Sequence, residues 1–416
     1  MTYIVLGLLI FCAHLFNAWF SRRRIPDVLL LMVIGIVIGP VTGWVKPETL
    51  SSVGPVFAAL TLLFILFDSG LDMKFDTIRQ YWAGVVQVTI LSFLTAMTFT
   101  TLLAYFYVGL TLPGSMLLGS IVSGTAAAIV IPLVNQMRVS EKTRVVLVLE
   151  SAISGVLCIV IALAIIKSAQ IGNTDIGPTI GRVIAIIFMS LILGVVGGII
   201  WSSFMHRIRK LQNSMFLTPA FIFVIYGVTE ALGYSGALSA LAFGIVLGNH
   251  EYFSPSFLGK FKLHPMTDLE ENVKSFFKEL VFILKTYFFV YIGICIPFTD
   301  TCALLHGLVI AATLFVVRFI LIRIVGRKNT ADDRLTVSIM IPKGLVSAVL
   351  ASIPEQANAV HEKLDPTPPP IFPEAEEIKN ITYAVIFCSI CICSLLVLIT
   401  SRRLISTTDK IETENE

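Results

Sequence analysis

Charge is what this sequence has least of: Asp, Glu, Lys and Arg make up 14% of its 416 residues, roughly half the share of a soluble globular domain. That scarcity excludes an ordinary water-soluble fold. Motifs of enzyme chemistry are missing too. No HExxH, no GxGxxG and no other Gly-rich phosphate loop occurs, and the six histidines are scattered, so neither a zinc hydrolase nor a nucleotide-binding site is legible. No nucleophile–base constellation is present, and the chain is expected not to be an enzyme. The seven cysteines, Cys12, Cys158, Cys295, Cys302, Cys388, Cys391 and Cys393, lie in or beside apolar runs. The spacing of the last three brings no histidine and no loop with it, so they read as small apolar fillers rather than metal ligands or a disulfide framework. No metal and no resident cofactor is expected. The first apolar run, TYIVLGLLIFCAHLFNAWF, has no small-residue cleavage site after it and reads as a retained span rather than a leader.

What the sequence has is apolar length. Hydrophobic residues make up 56% of it and its mean hydropathy is +0.89. Runs of about 20 residues recur along the chain, each long enough to cross roughly 30 Å of hydrocarbon as a helix. The fold class predicted is therefore an all-α polytopic membrane protein, with thirteen spans from Thr2–Phe20 to Ile381–Ile399. Of the 30 Lys and Arg residues, twenty-one fall in loops after odd-numbered spans. Five fall after even-numbered ones: Lys46, Lys167, Arg182, Lys363 and Lys379. Cytoplasmic loops carry the excess of Lys and Arg, which places the amino terminus outside and the carboxyl terminus inside. Topology thus accounts for the basic clusters, and no nucleic-acid partner is expected. Membrane lipid is. The loop 354–379 is acidic and Pro-rich, with Pro368 to Pro370 favouring an extended surface segment. The tail ISTTDKIETENE reads as short and polar. Compact loops point to a prokaryotic inner membrane.

A charge at the bilayer centre costs ~2.5–3.5 kcal/mol even on the lenient insertion scale, so each needs a partner or a wet cavity. Asp68 and Glu230 lie near span ends and can reach the interface, and Lys285 can snorkel. Glu150, Arg318 and Lys343 lie deeper. A structural ion pair between Glu150 and Arg318, the guanidinium fork holding the carboxylate, is the reading preferred for those two.

Two spans carry helix-weakening residues: SIVSGTAAAIVIPLV, with Gly124, Thr125 and Pro132, and IMIPKGLVSAVL, with Pro342, Lys343 and Gly344. Gly124, Pro132, Pro342 and Gly344 are accordingly predicted as helix breaks. A pair of Gly/Pro-interrupted spans in corresponding positions is a pointer to a transporter's midplane site. The two lie seven spans apart, so an inverted repeat would relate them, although the halves show no direct sequence similarity.

These segments, with LLFILFDSGLDMKFDTIR, LVLESAISGVL, ALGYSGALSALAFGIVLGN and FFVYIGICI, resemble the monovalent cation:proton antiporters, the sodium/proton exchanger superfamily. The resemblance implies an inverted-repeat antiporter fold with crossed broken helices at spans 5 and 12. It implies scaffold and dimerisation helices at 1–81, core helices at 82–167, a linker helix at 168–212, scaffold helices at 213–299, core helices at 300–404 and a tail at 405–416. It also implies a homodimer, elevator-like alternating access, and Na+ or K+ exchanged against H+ at an aspartate.

The sequence departs from that pattern at the acids. The family's Thr-Asp in span five is Thr125-Ala126 here, and its Glu-Ser-x-x-Asn-Asp in span six is Glu150-Ser151-Ala152-Ile153-Ser154-Gly155. The ion-carrying aspartate falls on Gly155 and its asparagine neighbour on Ser154. Thr125, Ala126, Glu150, Ser151, Ser154, Gly155 and Lys343 are therefore the candidate ion-binding or transport positions. Four readings stay open. One is an antiporter whose role passes to Glu150, Asp68, Asp72 or a proton cycling on Lys343. The others are an anion or small-solute transporter or channel with a positive site at Lys343, a transport-inactive homologue, and a variant stripped of its acids.

Overall fold

The computed structural model describes residues 27–45, 54–71, 73–137, 139–171, 176–208, 216–253, 271–296, 298, 300–326, 330–355, 357–358 and 370–414, and all regular structure among them is helical. The expected first span and Asp72 lie outside the described residues. The helices are α1 (Asp27–Ile36), α2 (Gly54–Leu71), α3 (Phe75–Leu103), α4 (Leu112–Val122), α5 (Ala127–Gln136), α6 (Glu141–Ile171), α7 (Ile176–Ile208), α8 (Leu217–Ala231), α9 (Gly236–Gly248), α10 (His250–Phe253), α11 (Glu271–Cys295), α12 (Thr301–Val325), α13 (Ala331–Ile339), α14 (Leu345–Leu350) and α15 (Ala375–Glu414). Widened turns, Val37–Val41 and Ala104–Val108, extend α1 and α3.

Among the described residues, six segments are long and apolar enough to cross a membrane: Phe75–Val108, Leu112–Ile131, Glu141–Ile166, Ile184–Phe204, Thr301–Val325 and Ala375–Thr400. Helix is the default form there, because in hydrocarbon each backbone N–H and C=O must find its partner within the protein. Large apolar side chains point outward along them: Phe188, Ile192 and Val196 on α7, and Val316, Phe319 and Ile320 on α12, are all exposed. The segment read as a polar tail continues α15 as far as Glu414, because hydropathy marks where a helix leaves lipid, not where its i→i−4 bonding stops.

The packing falls into two groups. In one, α9 lies against α2 and α7, α11 against α1 and α2, and α8 against α9. In the other, α3 packs on α4, α6 and α12, and α12 on α15. The groups meet where α2 touches α5 and α14, and where α9 touches α6. Glycine lets the first group close. A Cβ on Gly244 would stand 2.3 Å from the Phe67 carbonyl oxygen, and one on Gly70 2.4 Å from that of Leu241, so α2 and α9 touch backbone to backbone. Small residues at such seams are the usual device of helix packing in lipid. Gly244→Val should therefore force α2 and α9 apart and destabilise by at least about 1–3 kcal/mol. Thermal unfolding in detergent checks this, and an unchanged midpoint would contradict the backbone contact.

Candidate functional site

Both interrupted spans are open in the middle. The first runs α4, then non-helical Ser123–Ala126, then α5; the second runs α13, then Met340–Gly344, then α14. Pro132 is not a break: it lies inside α5, which continues through it. A proline deletes one backbone bond and a membrane helix can absorb that. The chain opens instead at Ser123–Ala126, where neighbours replace the lost partners. Gly124, Pro342 and Gly344 do stand in the openings.

The two openings touch. The Ala126 N–H donates to the Pro342 carbonyl oxygen at 2.8 Å, and a Cβ on Gly344 would lie 2.9 Å from that of Ala126. The freed N–H groups are taken up by side chains of two long helices. Gly124 donates to Cys158 Sγ at 3.0 Å and Thr125 to Ser154 Oγ at 3.1 Å, both acceptors on α6. Lys343 N–H donates to Ser389 Oγ of α15 at 2.9 Å. The freed carbonyls at the end of α4 are served likewise. Ser347 Oγ donates to Ile121 O at 2.7 Å, Ser123 Oγ to Gly119 O, and the Lys343 ammonium to Ser123 O at 3.3 Å. The orphan groups that every helix end leaves are thus met by chain from the opposite break and by hydroxyls.

Among the described residues, two cations and one acid lie in this region, all nearly without exposure: Glu150 2%, Lys343 2% and Arg318 4%. Arg318 grips Glu150 with both arms, Nη1 to Oε1 at 2.5 Å and Nη2 to Oε2 at 2.7 Å. It also donates to Ser92 Oγ, and from Nε to the Val337 carbonyl at 3.2 Å. Val337 is in the last turn of α13, so the guanidinium caps that half-helix and meets the negative end of its dipole. Lys343 does the same for α4. It has no carboxylate within ion-pair distance among the described residues.

Two cavities of ≈ 20 Å³ each, room for about one water molecule, flank the crossing. Ser92, Thr95, Ser123, Thr125, Arg318 and Lys343 supply the polar lining of one. Thr125, Ala126, Ser151, Gly155, Ser235 and Val346 line the other, which is mostly apolar. Thr125 is common to both. Ser151 and Ser154 donate their hydroxyl protons to Val148 and Ser151 carbonyls of their own helix, leaving oxygen lone pairs for other partners. A Cβ built on Gly155 would stand 3.3 Å from Val346 Cγ2, so a side chain there would require Val346 to give way by a few tenths of an ångström.

The remaining sequence candidates lie apart from the crossing. Asp68 is half-buried and, with Glu141 and Arg144, lines a separate cavity. Glu230 is exposed and accepts the Gly236 N–H at 2.7 Å. Lys285 is buried, its ammonium 5.9 Å from the Phe282 ring centre. Beside them stand residues that sequence reasoning passed over. Cys158 is an acceptor rather than a filler, and it sits four residues after Ser154 on one face of α6, a spacing that could have flagged it. Ser92, Ser347 and Ser389 gave no signal, since each is one serine among many in apolar helix.

The ends of the core helices are tied as well. The Asp333 carboxylate accepts from the hydroxyl of the N-cap Thr330 at 2.9 Å, and from Ser140 at 2.9 Å and Thr143 at 2.8 Å across to the start of α6. Partial burial works against its charged form, but these hydroxyl donors prevail and hold its pKa below the usual value. At the other end Glu374 accepts from the Thr111 N–H at 3.0 Å and from its hydroxyl. The Pro-rich loop is closed at its base by Asn358, bonded to Phe372 N at 2.9 Å and O at 2.7 Å.

A family model described as "Sodium/hydrogen exchanger, transmembrane" matches residues 7–401. Among curated proteins the chain is 22% identical over 363 residues to Na+/H+ antiporter 1 of Methanocaldococcus jannaschii, covering 83% of this chain and 81% of that one. It is 24% identical over 381 residues to the K+/H+ antiporter NhaP of Alkalimonas amylolytica, covering 88% of this chain and 62% of that one. These relatives are ion transporters, not enzymes. Two solved structures of the sodium proton antiporter MjNhaP1 from Methanocaldococcus jannaschii share the fold. One, at pH 8, has a TM-score of 0.70 at 19% identity, covering 94% of this chain and 98% of that one. The other has a TM-score of 0.75 at 18% identity and covers 98% of both.

Proposed function

The chain belongs to the sodium/hydrogen exchanger family and is an integral membrane protein; from that premise we propose that it is a secondary transporter of the cation:proton antiporter type, exchanging Na+ or K+ for H+. The observation that carries this reading is the crossing itself. Two broken helices share the Ala126–Pro342 bond, with a buried lysine between them. Irregular backbone at membrane depth persists only where protein or a cavity satisfies it, and discontinuous helices of this kind build a transporter's ion site.

The proton needs a carrier, and the positions matching the family acids are Ala126 and Gly155. Lys343 takes that role. Its ammonium bonds to the Ser123 carbonyl, and a carbonyl oxygen accepts an alkali cation as readily as an N–H donor. When Lys343 releases its proton, the positive charge that would repel a cation is gone and the neutral amine can turn away, so that oxygen, with the hydroxyls of Thr125, Ser151 and Ser154, can hold a cation of the same charge. Proton and cation then exclude each other, which is the requirement for exchange. Glu150 and Arg318 stay paired throughout and hold the frame.

The two packing groups support a division into a moving core and a scaffold, with the core carrying the crossing in an elevator-like step and the scaffold forming a homodimer. The charge distribution supports an outside amino terminus and a cytoplasmic carboxyl terminus in a prokaryotic inner membrane. The test is purified protein in liposomes holding a pH-sensitive dye, with sodium, lithium, potassium, chloride and bicarbonate gradients imposed in turn. Proton movement driven by an alkali cation is expected. Movement driven by anion gradients alone, or by none with folded protein, would overturn the reading.

A further inference from the structure

The crossing carries a positive charge that no acid among the described residues balances. Glu150 and Arg318 neutralise each other, and Lys343 is left with one hydrogen bond, to the Ser123 carbonyl, from an ammonium that has three N–H donors. The cavity beside it is lined by both cations and by no carboxylate. Two of its lining hydroxyls have their protons engaged elsewhere: Thr95 donates to the Leu91 carbonyl at 2.7 Å and Ser123 to that of Gly119. The Thr125 hydroxyl makes no hydrogen bond with any described residue. The unspent protons around this void are those of the Lys343 ammonium and of the Ser92 and Thr125 hydroxyls, while the Thr95 and Ser123 hydroxyl oxygens keep lone pairs. Water could accept from them, but it would leave the charge unbalanced, and a buried charge without a counter-charge is the costlier arrangement.

We propose that this cavity binds a small monovalent anion of the halide class, which serves as the counter-charge of Lys343 where the described lining supplies no acid. A void of ≈ 20 Å³ admits one ion of about water's size and shuts out organic anions such as gluconate. Ser123, whose carbonyl Lys343 holds and the cation would take over, lines this same cavity, so an anion here lies beside that exchange position. Whichever positive group is present, ammonium or alkali ion, faces the same negative one. Only this last consequence rests on the exchange reading; the binding site does not.

The test begins with binding. Thermal unfolding of the purified protein in detergent is followed while sodium gluconate is replaced by sodium chloride at constant ionic strength. The midpoint should climb saturably by about 2 °C or more. The saturable part should vanish in Lys343→Met, and its half-saturation should move at least ~5-fold in Thr125→Val, which loses one donor. No difference between chloride and gluconate in the native protein, or an equal saturable rise in both variants, would overturn the site. In liposomes, cation-driven proton movement should be at least ~10-fold slower in gluconate than in chloride, and equal rates would overturn the counter-charge role. If no buffer supports proton movement, the exchange reading fails while the unfolding titration still decides the anion site.

Discussion

Glu150→Ala is expected to destabilise the protein by roughly 3–5 kcal/mol, the usual consequence of stripping a buried ion of its partner. Arg318 would remain 4% exposed with two of its N–H groups emptied, and guanidinium does not escape by losing its proton. The loss would spread, because Arg318 also holds Ser92 and the Val337 carbonyl at the end of α13. A displaced guanidinium uncaps the half-helix that leads into the second break. Glu150→Gln should do less harm, since an amide oxygen still accepts one bond. The double variant Glu150→Leu with Arg318→Met should recover most of the lost stability, because exchanging both charges for apolar groups of similar volume is often neutral. Thermal unfolding in detergent reads all three. A Glu150→Ala protein within about 0.5 kcal/mol of the native chain would mean that the pair does not hold the core.

Lys343→Ala should lower cation-driven proton movement at least ~10-fold, and so should Lys343→Arg. The second variant separates two roles that the first confounds. As a structural cation, Lys343 caps the end of α4 through the Ser123 carbonyl, and arginine can supply that charge and that bond. As a proton carrier it must deprotonate, which arginine does not do in proteins. A Lys343→Arg protein that unfolds near the native temperature yet moves no protons is the expected result. Native rates in that variant would assign the lysine to structure and send the proton elsewhere.

Much of this molecule could be read before any coordinate. The membrane class followed from scarce charge and recurrent apolar runs, because the bilayer sets span length and forbids unpaired backbone. Glu150, Arg318 and Lys343 were conspicuous for the same reason, as charges that lipid does not tolerate alone. The two interrupted segments showed in their Gly and Pro content, yet Pro132 misled. Its ring removes one donor, and that alone does not decide where a helix parts.

Tertiary structure decided that point and the ones that follow from it. The break opens at Ser123–Ala126 because Pro342, Ser154 and Cys158 stand where they can replace the lost bonds, and each comes from a distant part of the chain. Ser389 serves Lys343 from another helix, a role no serine in an apolar run declares. The Glu150–Arg318 pair was already the preferred reading of the sequence, but its form was a matter of approach: both guanidinium arms meet the carboxylate, while Lys343 faces a cavity with no acid among its described lining residues. Hydropathy and helix-breaking chemistry are properties of short stretches, so the sequence alone carries them. Partner choice depends on distances between helices far apart in the chain, and only the packed molecule sets those.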